Sequence, residues 1–322
     1  MTDKIITKIV DEVKKNRSFL VASHMNPEGD AIGSTLALAI SLKSIGKDVT
    51  AYNQDHTPWN LQFLPMSTEI VHEIDESYPY DVAIVLDCAE FDRLGKGGKE
   101  IGKIGEIINI DHHKTNSKFG DLSYVDPYAS SSAEIIYGLL KDIPVEMSHD
   151  IAVNIYTAIF TDTGSFRYAN TTAKTFQIAG ELVKAGVDTA KVAEEVYERQ
   201  SSAQLRLLGL ALNTLEVSEN GRIGSMAVLS SMLKEAEATS DLTENMVNYP
   251  KSIRGVQVAV LFKEVSGNYY RISFRSYDNV DVSDIAKEFG GGGHPRAAGC
   301  GTNGSLTEVK EMVFDAIRRR LM

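Results

Sequence analysis

Short apolar runs alternate with longer helical periods from residue 18 to about residue 187. The first run, at 18–23, predicts a buried strand, and the period after it predicts a helix over 31–45 that ends at Gly46. Further strands are predicted at 48–53, 81–87 and 105–110, and further helices at about 131–140, 148–161 and 173–185. This alternation is typical of a parallel sheet that is covered by helices on both faces.

The pattern changes after residue 187. Residues 188–213 predict one continuous polar helix. Alternating patterns then predict strands at 215–217, 223–229, 256–262 and 269–274, a hairpin turn at Gly267-Asn268, and helices at 282–289 and 306–321. The expected fold class is therefore α/β. A larger N-terminal domain (1–187) would contain a mostly parallel sheet covered by helices, followed by a helical linker (188–213) and a smaller C-terminal α/β domain (214–322).

Composition adds limits to this picture. The 322 residues are 43% apolar and 24% charged, as in globular proteins with two domains. No run approaches the ~18 apolar residues of a membrane span, and the first ten residues are too polar for a signal peptide. Cys88 and Cys300 cannot form a disulfide framework. We therefore expect a cytoplasmic protein without a membrane partner.

The formal net charge of −11 argues against a long basic track for nucleic acid. Duplex nucleic acid is thus not an expected partner. The charge leaves room for a small phosphorylated ligand in a local pocket.

Acidic and histidine residues follow several of the predicted strands. The sequence His24-Met25-Asn26-Pro27-Glu28-Gly29-Asp30 leaves the first strand, Asp87 ends the third, and Asp111-His112-His113 follows the fourth. Asp162 lies in Thr161-Asp162-Thr163-Gly164. Each of these elements is expected where a parallel strand ends or a helix begins, at one edge of the sheet.

Six of these side chains suit metal binding. Two imidazoles and four carboxylates without a cysteine are what two hard-to-borderline divalent cations need. The candidate metal ligands are His24, Glu28, Asp30, Asp87, His112 and Asp162. This set predicts metal-assisted hydrolysis of a phosphoester.

Other residues are candidates for binding the substrate. Backbone N–H groups of the glycine run 290–293 could bind an anion, so Gly291, Gly292, Gly293 and the adjacent His294 are predicted to contact phosphate. Arg275, at the end of a predicted strand, is the best candidate for a bidentate phosphate contact, and Arg167 is a further one. The serines of Ser130-Ser131-Ser132 are explained by capping of a helix.

These motifs resemble those of the DHH phosphoesterase superfamily, and residues 290–299 are similar to the signature of its associated C-terminal domain. Within it, the chain most resembles the bacterial group of bifunctional oligoribonucleases and 3′-phosphoadenosine 5′-phosphate phosphatases. The resemblance implies one metal at His24, Glu28 and Asp87. It implies a second at Asp30, Asp87, His112 and Asp162, so that Asp87 bridges. It further implies that His113 faces the substrate as a positioning or proton-donating group, and that Asp111 orients the histidines.

The implied partners are short oligoribonucleotides and nucleoside bisphosphates, bound between the two domains. Mn²⁺ suits the ligand set best, with Co²⁺, Mg²⁺ and Zn²⁺ left open. The oligomeric state, including a homodimer, is also left open.

One departure from the family pattern leaves alternatives open. Position 28 is Asp in most of the superfamily and Glu here, which would weaken one metal site or leave Glu28 only as a helix cap. The alternatives are a phosphodiesterase for linear or cyclic dinucleotides, a pyrophosphatase, and a nucleotide-binding regulator that has lost catalysis.

Overall fold

The computed structural model describes residues 2–218, 220–277 and 280–321. The chain divides into two compact units, Met1–Arg199 and Gln200–Met322. Each unit contains one sheet with its own apolar core. Among the described residues, no helix is both long and apolar enough to cross a lipid bilayer.

The sheet of the first unit is entirely parallel, with the strand order β2-β1-β3-β4-β5. Its strands are β1 (Ser18–Ser23), β2 (Asp48–Tyr52), β3 (Val82–Leu86), β4 (Ile107–Asp111) and β5 (Leu122–Val125). The direction of strand addition reverses between β1 and β3. In open parallel sheets, ligands bind at the carboxyl ends of the strands beside such a reversal.

Helices of the first unit cover this sheet. They are α1 (Thr2–Lys15), α2 (Gly29–Ser44), α3 (Gly98–Ile101), α4 (Ser132–Leu140), α5 (His149–Asp162), α6 (Ala173–Lys184) and α7 (Thr189–Ala193). Short 3-10 helices occupy Trp59–Leu61, Ser67–Glu69 and Phe91–Gly97, and a π-helical turn occupies Glu194–Glu198. Because side chains alternate along a strand, Phe19 and Val21 belong to the core formed with α1, α2, α4 and α5. Leu20 and Ala22 belong to a smaller cluster with Leu94.

Two glycines let α2 lie very close to α5. A Cβ on Gly29 would be 2.2 Å from Thr161 Oγ1, and a Cβ on Gly33 would be 2.6 Å from the Asn154 carbonyl oxygen. Any side chain at either position would therefore push the helices apart. The close approach brings the first turn of α2 to the last turn of α5.

The second unit contains a mixed sheet with the strand order β10-β11-β9-β8-β7-β6. Its strands are β6 (Glu216–Val217), β7 (Ile223–Val228), β8 (Val258–Ser266), β9 (Tyr269–Ser276), β10 (Gly292–His294) and β11 (Ala297–Asn303). Among the described strands of this second sheet, only β7 and β8 pair in parallel. Its helices are α8 (Ser202–Leu212), α9 (Ser230–Glu235), α10 (Asn248–Lys251), α11 (Val282–Glu288) and α12 (Leu306–Leu321), with a 3-10 turn at Ser240–Thr243. One face of the sheet packs against α11 and α12, and the other packs against α8, α9 and α10.

The structure confirms the α/β fold class and the turn at Gly267-Asn268, which joins the antiparallel strands β8 and β9. The continuous helix predicted over 188–213 is wrong. The chain leaves helical geometry at Arg199, and the Ser201 side chain accepts a hydrogen bond from Gln204 N to begin a new helix, α8. The pattern also did not reveal α1, β5, β10 or β11.

Candidate metal centre

Five elements of the first unit bring the predicted ligands to one place. His24, Asp87 and His112 directly follow β1, β3 and β4, whose carboxyl ends lie side by side. Asp30 lies in the first turn of α2. Asp162 is the last residue of α5, so the expectation that every ligand lies at the end of a strand or the start of a helix is wrong for this residue. The tight packing of α2 on α5 brings Asp162 to the site instead.

Asp87 belongs to three groups of three side chains whose ligand atoms lie within 4.8 Å of one another, and two of these groups consist only of candidate metal ligands. These two are His24 with Glu28 and Asp87, and Asp30 with Asp87 and His112. His24 Nε2 lies 3.3 Å from Glu28 Oε2 and 3.5 Å from Asp87 Oδ2. His112 Nε2 lies 3.6 Å from Asp87 Oδ1. The two oxygens of Asp87 thus face different imidazoles, an arrangement that suits a residue shared by two sites.

The backbone of Asp87 is itself unusual. Its φ of 52° lies in the left-handed region, which costs free energy for a residue other than glycine. Asp87 N donates to the Ile110 carbonyl at 3.0 Å, and Ser132 Oγ donates to Asp87 Oδ1 at 3.1 Å. Strained backbone of this kind is often found at functional sites, where the surroundings hold it in place.

The N-terminus of α4 supports the Asp30 carboxylate. Ser132 N donates to Asp30 Oδ2 at 2.6 Å, and Ala133 N donates to Asp30 Oδ1 at 3.0 Å. These amides have no partner inside the helix, and the helix dipole adds to their attraction for negative charge. The serine run therefore does more than cap. Ser131 is the N-cap, as predicted, whereas Ser132 contacts both Asp30 and Asp87.

Glu28 has two roles in the structure. Its Oε1 accepts a hydrogen bond from Ala31 N at 3.0 Å and caps α2. Its Oε2 faces His24 Nε2. The longer side chain of glutamate can therefore cap the helix and still offer an oxygen to a cation.

Asp162 lies at the edge of the second group. Its Oδ2 is 3.8 Å from His112 Nε2, and the same Nε2 is 3.8 Å from Asp30 Oδ2. Asn170 Nδ2 donates to Asp162 Oδ2 at 3.3 Å and to the Ser130 carbonyl at 2.8 Å. Asn170 thus ties Asp162 to the loop that begins α4.

Asp111 and the partly buried His113 form a pair beside the two groups. His113 Nδ1 donates to Asp111 Oδ1 at 2.7 Å, and the Asp111 side chain is fully buried. Asn116 Nδ2 donates to Asp111 Oδ2 at 2.6 Å, and His112 N donates to Asp111 Oδ1 at 2.8 Å. Asp111 is therefore held from both sides and sets the orientation of the His113 ring.

Burial and mutual repulsion strongly affect the titration of the carboxylates. Burial, followed by the charge of Asp87, holds the pKa of the Asp30 carboxyl well above its usual range. Burial also raises the pKa of Asp162 to about 6, although His112 opposes this shift. Burial works against ionisation of Asp87 too, but the neighbouring imidazoles, His24 foremost, hold its pKa well below its usual range.

The pKa values of two imidazoles are raised as well. Burial opposes protonation of His24, but Glu28 and Asp87 outweigh it and raise the pKa of His24 to about 10. For His112, Asp162, Asp87 and Asp30 likewise outweigh burial and raise the pKa to about 9. In the protein without metal ions, protons on these two imidazoles thus offset the negative charge of the crowded carboxylates.

This donor set fits two divalent cations. A cluster of buried carboxylates that must recruit protons to offset its own charge is suited to positive ions. Oxygen and imidazole donors without thiolates match Mn²⁺, Mg²⁺ or Zn²⁺. His24 Nδ1 lies 2.8 Å from the Met25 carbonyl, and donation to this oxygen leaves Nε2 unprotonated and able to bind a metal.

Arg93 is a neighbour of His24 that the sequence did not reveal. Its Nη2 lies 3.0 Å from His24 Nδ1. A guanidinium only donates, so this contact requires an unprotonated Nδ1, whereas the Met25 contact requires a protonated one. The Arg93 contact therefore favours the tautomer protonated at Nε2, whereas metal binding at Nε2 needs the tautomer protonated at Nδ1. Asn116 and Arg93 could not be recognised as contacts of the site, because each reaches it through folding and not through a motif.

The predicted substrate residues are distributed over both units. Arg167 is exposed, its Nε donates to the Gly164 carbonyl at 2.6 Å, and it forms no hydrogen bond or ion pair with the metal-binding groups of the described chain. In the second unit, Arg275 lies near the end of β9 and His294 ends β10. The structure does not bring Arg167 together with the six ligands.

The glycine run has a structural explanation in part. A Cβ on Gly291 would be 2.1 Å from the Gly299 carbonyl oxygen, and one on Gly293 would be 2.5 Å from the Ala297 carbonyl oxygen. These two glycines let β10 lie against β11. Only Gly292, where a Cβ would meet nothing within 4 Å, has open space beside it in the strand.

Comparisons with known proteins agree with the motifs. Residues 18–159 match the DHH family N-terminal domain, and residues 225–321 match the DHHA1 domain. A Thermus thermophilus protein named bifunctional oligoribonuclease and PAP phosphatase NrnA is 35% identical, over 98% of this chain and 94% of its own. A Streptococcus mutans protein named probable bifunctional oligoribonuclease and PAP phosphatase NrnA is 33% identical, over 94% of this chain and 95% of its own.

A solved structure shares the fold over nearly its full length. It is an exopolyphosphatase-related protein from Bacteroides fragilis, 27% identical, with a TM-score of 0.90 over 98% of this chain and 96% of that one. The family models and the Thermus relative together cover almost all of the present sequence. The chain therefore belongs to the DHH phosphoesterase family.

Proposed function

We propose that the chain is a metal-dependent phosphoesterase that releases mononucleotides from short oligoribonucleotides and converts 3′-phosphoadenosine 5′-phosphate to AMP. The observation that carries this proposal is the pair of three-residue groups that share Asp87. The printed names of the relatives that align with nearly the whole chain support the choice of substrates.

Two divalent cations, most suitably Mn²⁺, complete the proposed site. His24, Glu28 and Asp87 would hold one, and Asp30, Asp87, His112 and Asp162 the other. When bound, the cations would lower the pKa of a water molecule and stabilise the charge that develops on the phosphoryl group. Mn²⁺ is favoured because oxygen donors outnumber the two imidazoles.

His113 is the proposed proton donor to the leaving oxygen. Burial opposes protonation of His113, but the hydrogen bond from His113 Nδ1 to the Asp111 carboxylate, followed by the charge of Asp87, outweighs it and raises the pKa of His113. Nε2 is then the nitrogen that exchanges a proton with the substrate. Asp111 is a positioning residue in this scheme, because it acts through His113.

The substrate phosphate is proposed to bind residues of the C-terminal unit. Arg275 offers a planar guanidinium, and the backbone at Gly292 has open space for an anion beside His294. Gly291 and Gly293 would contribute by shaping the strand. Arg167 remains a proposed phosphate contact in the first unit, for which its exposed position is the supporting observation.

We propose short single strands and nucleoside bisphosphates as partners, and not duplexes. The net charge of −11 would repel a long polyanion outside a local basic surface. The two cysteines are both free, which fits a reducing cytoplasm.

A substrate panel tests the proposal. The purified chain with Mn²⁺ should hydrolyse 3′-phosphoadenosine 5′-phosphate and a trinucleotide, and its turnover should fall as RNA length rises to 30 nucleotides. Preference for pyrophosphate, or undiminished turnover of the 30-mer, would contradict it. Nucleotide binding without hydrolysis of any phosphoester would instead favour a regulator.

A further inference from the structure

One face of the second sheet is partly uncovered at β9. Tyr270, Ile272 and Phe274 of this strand pack into the core with α11 and α12. Because side chains alternate, Tyr269, Arg271, Ser273 and Arg275 lie on the opposite face. The helices on that face, α8, α9 and α10, pack mainly on β7 and β8. The odd-numbered residues of β9 therefore lie beside the covered region.

Two positively charged side chains lie opposite each other on this face, at the end of β9 away from Arg275. Arg271 of β9 pairs in register with Lys263 of β8. Arg271 is exposed and forms no ion pair with any residue that the structure describes. Burial foremost, and then the charge of Arg271, lower the pKa of Lys263. Like charges on paired strands repel, so this pair suits a negatively charged ligand.

Lys263 is only partly neutralised by its own surroundings. Its Nζ donates to the Ser240 carbonyl at 3.4 Å, and the charge of Asp241 acts on it in the favourable direction. No comparable carboxylate compensates Arg271 among the described residues. The two side chains together thus keep a positive excess.

The strand β11, on the other side of β9, offers bare backbone at Gly299, whereas the Tyr269 side chain lies over Gly301. Arg271 pairs with Gly301 and Ser273 pairs with Gly299, while Gly299 pairs in turn with Gly292 of β10. A Cβ on Gly292 would meet nothing within 4 Å, and one on Gly299 would meet only the Ile272 carbonyl oxygen, at 3.3 Å. A flexible chain can therefore approach the backbone closely at Gly292 and Gly299.

The spacing of the two arginines selects a ligand longer than one nucleotide. Arg271 and Arg275 are four residues apart on one strand, which places their Cα atoms about 13 Å apart at ~3.3 Å per residue. This distance corresponds to about four nucleotides of a stacked strand at ~3.4 Å per nucleotide, and to fewer in an extended one. A nucleoside bisphosphate carries both phosphates on one ribose and cannot span it.

We propose that Arg271 and Lys263 form a second phosphate site, which binds the backbone of an oligoribonucleotide several nucleotides away from the phosphate at Arg275. The site rests on the proposed function, in which Arg275 binds a substrate phosphate. This second site would strengthen the binding of short oligomers relative to dinucleotides and would leave the binding of bisphosphates unchanged. One protein could therefore hydrolyse oligomers and bisphosphates with different affinities.

The test compares Arg271→Ala with Arg318→Ala. Arg318 is an exposed cation of α12, on the helix layer of the opposite face, so the control removes the same charge. Binding of a labelled pentanucleotide to the full chain is measured by fluorescence anisotropy in EDTA, which prevents hydrolysis. Arg271→Ala should weaken binding roughly three- to tenfold. The slope of log affinity against log salt should shrink by about 0.7, as expected for one lost phosphate contact on a single strand.

Hydrolysis supplies the second measurement. Arg271→Ala should leave turnover of 3′-phosphoadenosine 5′-phosphate and of a dinucleotide unchanged with Mn²⁺, and should raise KM for the pentanucleotide. The second phosphate site is wrong if the two variants bind the pentanucleotide alike, or if Arg271→Ala reduces bisphosphate turnover equally. If the wild type binds the pentanucleotide through Arg271 but hydrolyses none of these substrates, the proposed function fails and the site remains.

Discussion

Asp87 is the residue on which the candidate centre depends most. It belongs to both ligand groups, its oxygens face His24 and His112, and its backbone is left-handed. Asparagine tolerates this backbone conformation better than alanine does. Asp87→Asn therefore removes the charge with little added strain.

We expect Asp87→Asn to lower kcat/KM by more than ~100-fold, since the loss affects both cations, whereas loss of a supporting contact alone costs ~10–100-fold. Mn²⁺ titration calorimetry should show weakened binding at both sites. Asp92→Asn, an exposed carboxylate in Phe91–Gly97, is the control. If the Asp87→Asn variant still binds two Mn²⁺ with unchanged affinity, Asp87 is not a ligand shared by the two sites.

Substitutions of the neighbouring residues Ser131 and Ser132 should affect different properties, stability in one case and metal affinity in the other. Ser132→Ala loses the bond to Asp87 Oδ1 and should weaken Mn²⁺ binding up to ~10–100-fold. Ser131→Ala loses the N-cap of α4 and should lower the free energy of unfolding by about 1 kcal/mol. Mn²⁺ calorimetry and denaturant unfolding on both variants check this. Equal metal affinities for the two would argue against the role of Ser132.

At the scale of elements, the packing of α2 on α5 determines where Asp30 and Asp162 meet. Gly33 contacts the α5 backbone so closely that an added methyl group must move one helix. Gly138 of α4 is also helical, but a Cβ there would meet nothing within 4 Å. The two glycines differ only in what surrounds them.

Gly33→Ala should lower the free energy of unfolding by about 1–3 kcal/mol, the usual cost of overpacking, and should also weaken Mn²⁺ binding. Gly138→Ala should raise the free energy of unfolding by about 0.5–1 kcal/mol, because alanine favours a helix more than glycine does. Urea unfolding of both variants measures the difference. A stabilised Gly33→Ala variant would show that the helices have room to part.

The sequence predicted elements better than it predicted contacts. Strong periodicity revealed β1, β3 and β4, and the ends of these strands located His24, Asp87 and His112 correctly at one sheet edge. The short strands β10 and β11 escaped notice because Gly292, Gly293 and Gly299 carry no side chain to form a pattern. The contacts of Ser132 with Asp30 and Asp87 join residues 102 and 45 positions apart, which no local signal encodes.

For the molecule as a whole, protons and cations compete for one cluster of charges. The pKa of His24 is raised from 6.5 to about 10 and that of His112 to about 9 in the protein without cations. Raised values mean that these imidazoles stabilise the metal-free fold fully below about pH 6.5. This contribution is lost as the pH rises through about 9 to 10.

Cation binding requires the same imidazoles to be neutral, so it releases protons and strengthens with pH. The rise in Tm caused by Mn²⁺ should therefore be larger at about pH 8 than at about pH 6. Differential scanning fluorimetry with and without Mn²⁺ measures it, and calorimetry in buffers of different ionisation enthalpy should detect released protons. A pH-independent rise in Tm would contradict this competition.

The Glu28 carboxylate contacts both the candidate ion site and the backbone amide of Ala31. One oxygen of this carboxylate accepts from Ala31 N while the other faces His24, so the side chain cannot shift toward an ion without tightening or loosening the first turn of α2. Deuterium uptake at the Ala31 amide consequently reports on ion occupancy. The loading of the centre can thus be followed in a resting enzyme, without any nucleotide and without a catalytic readout.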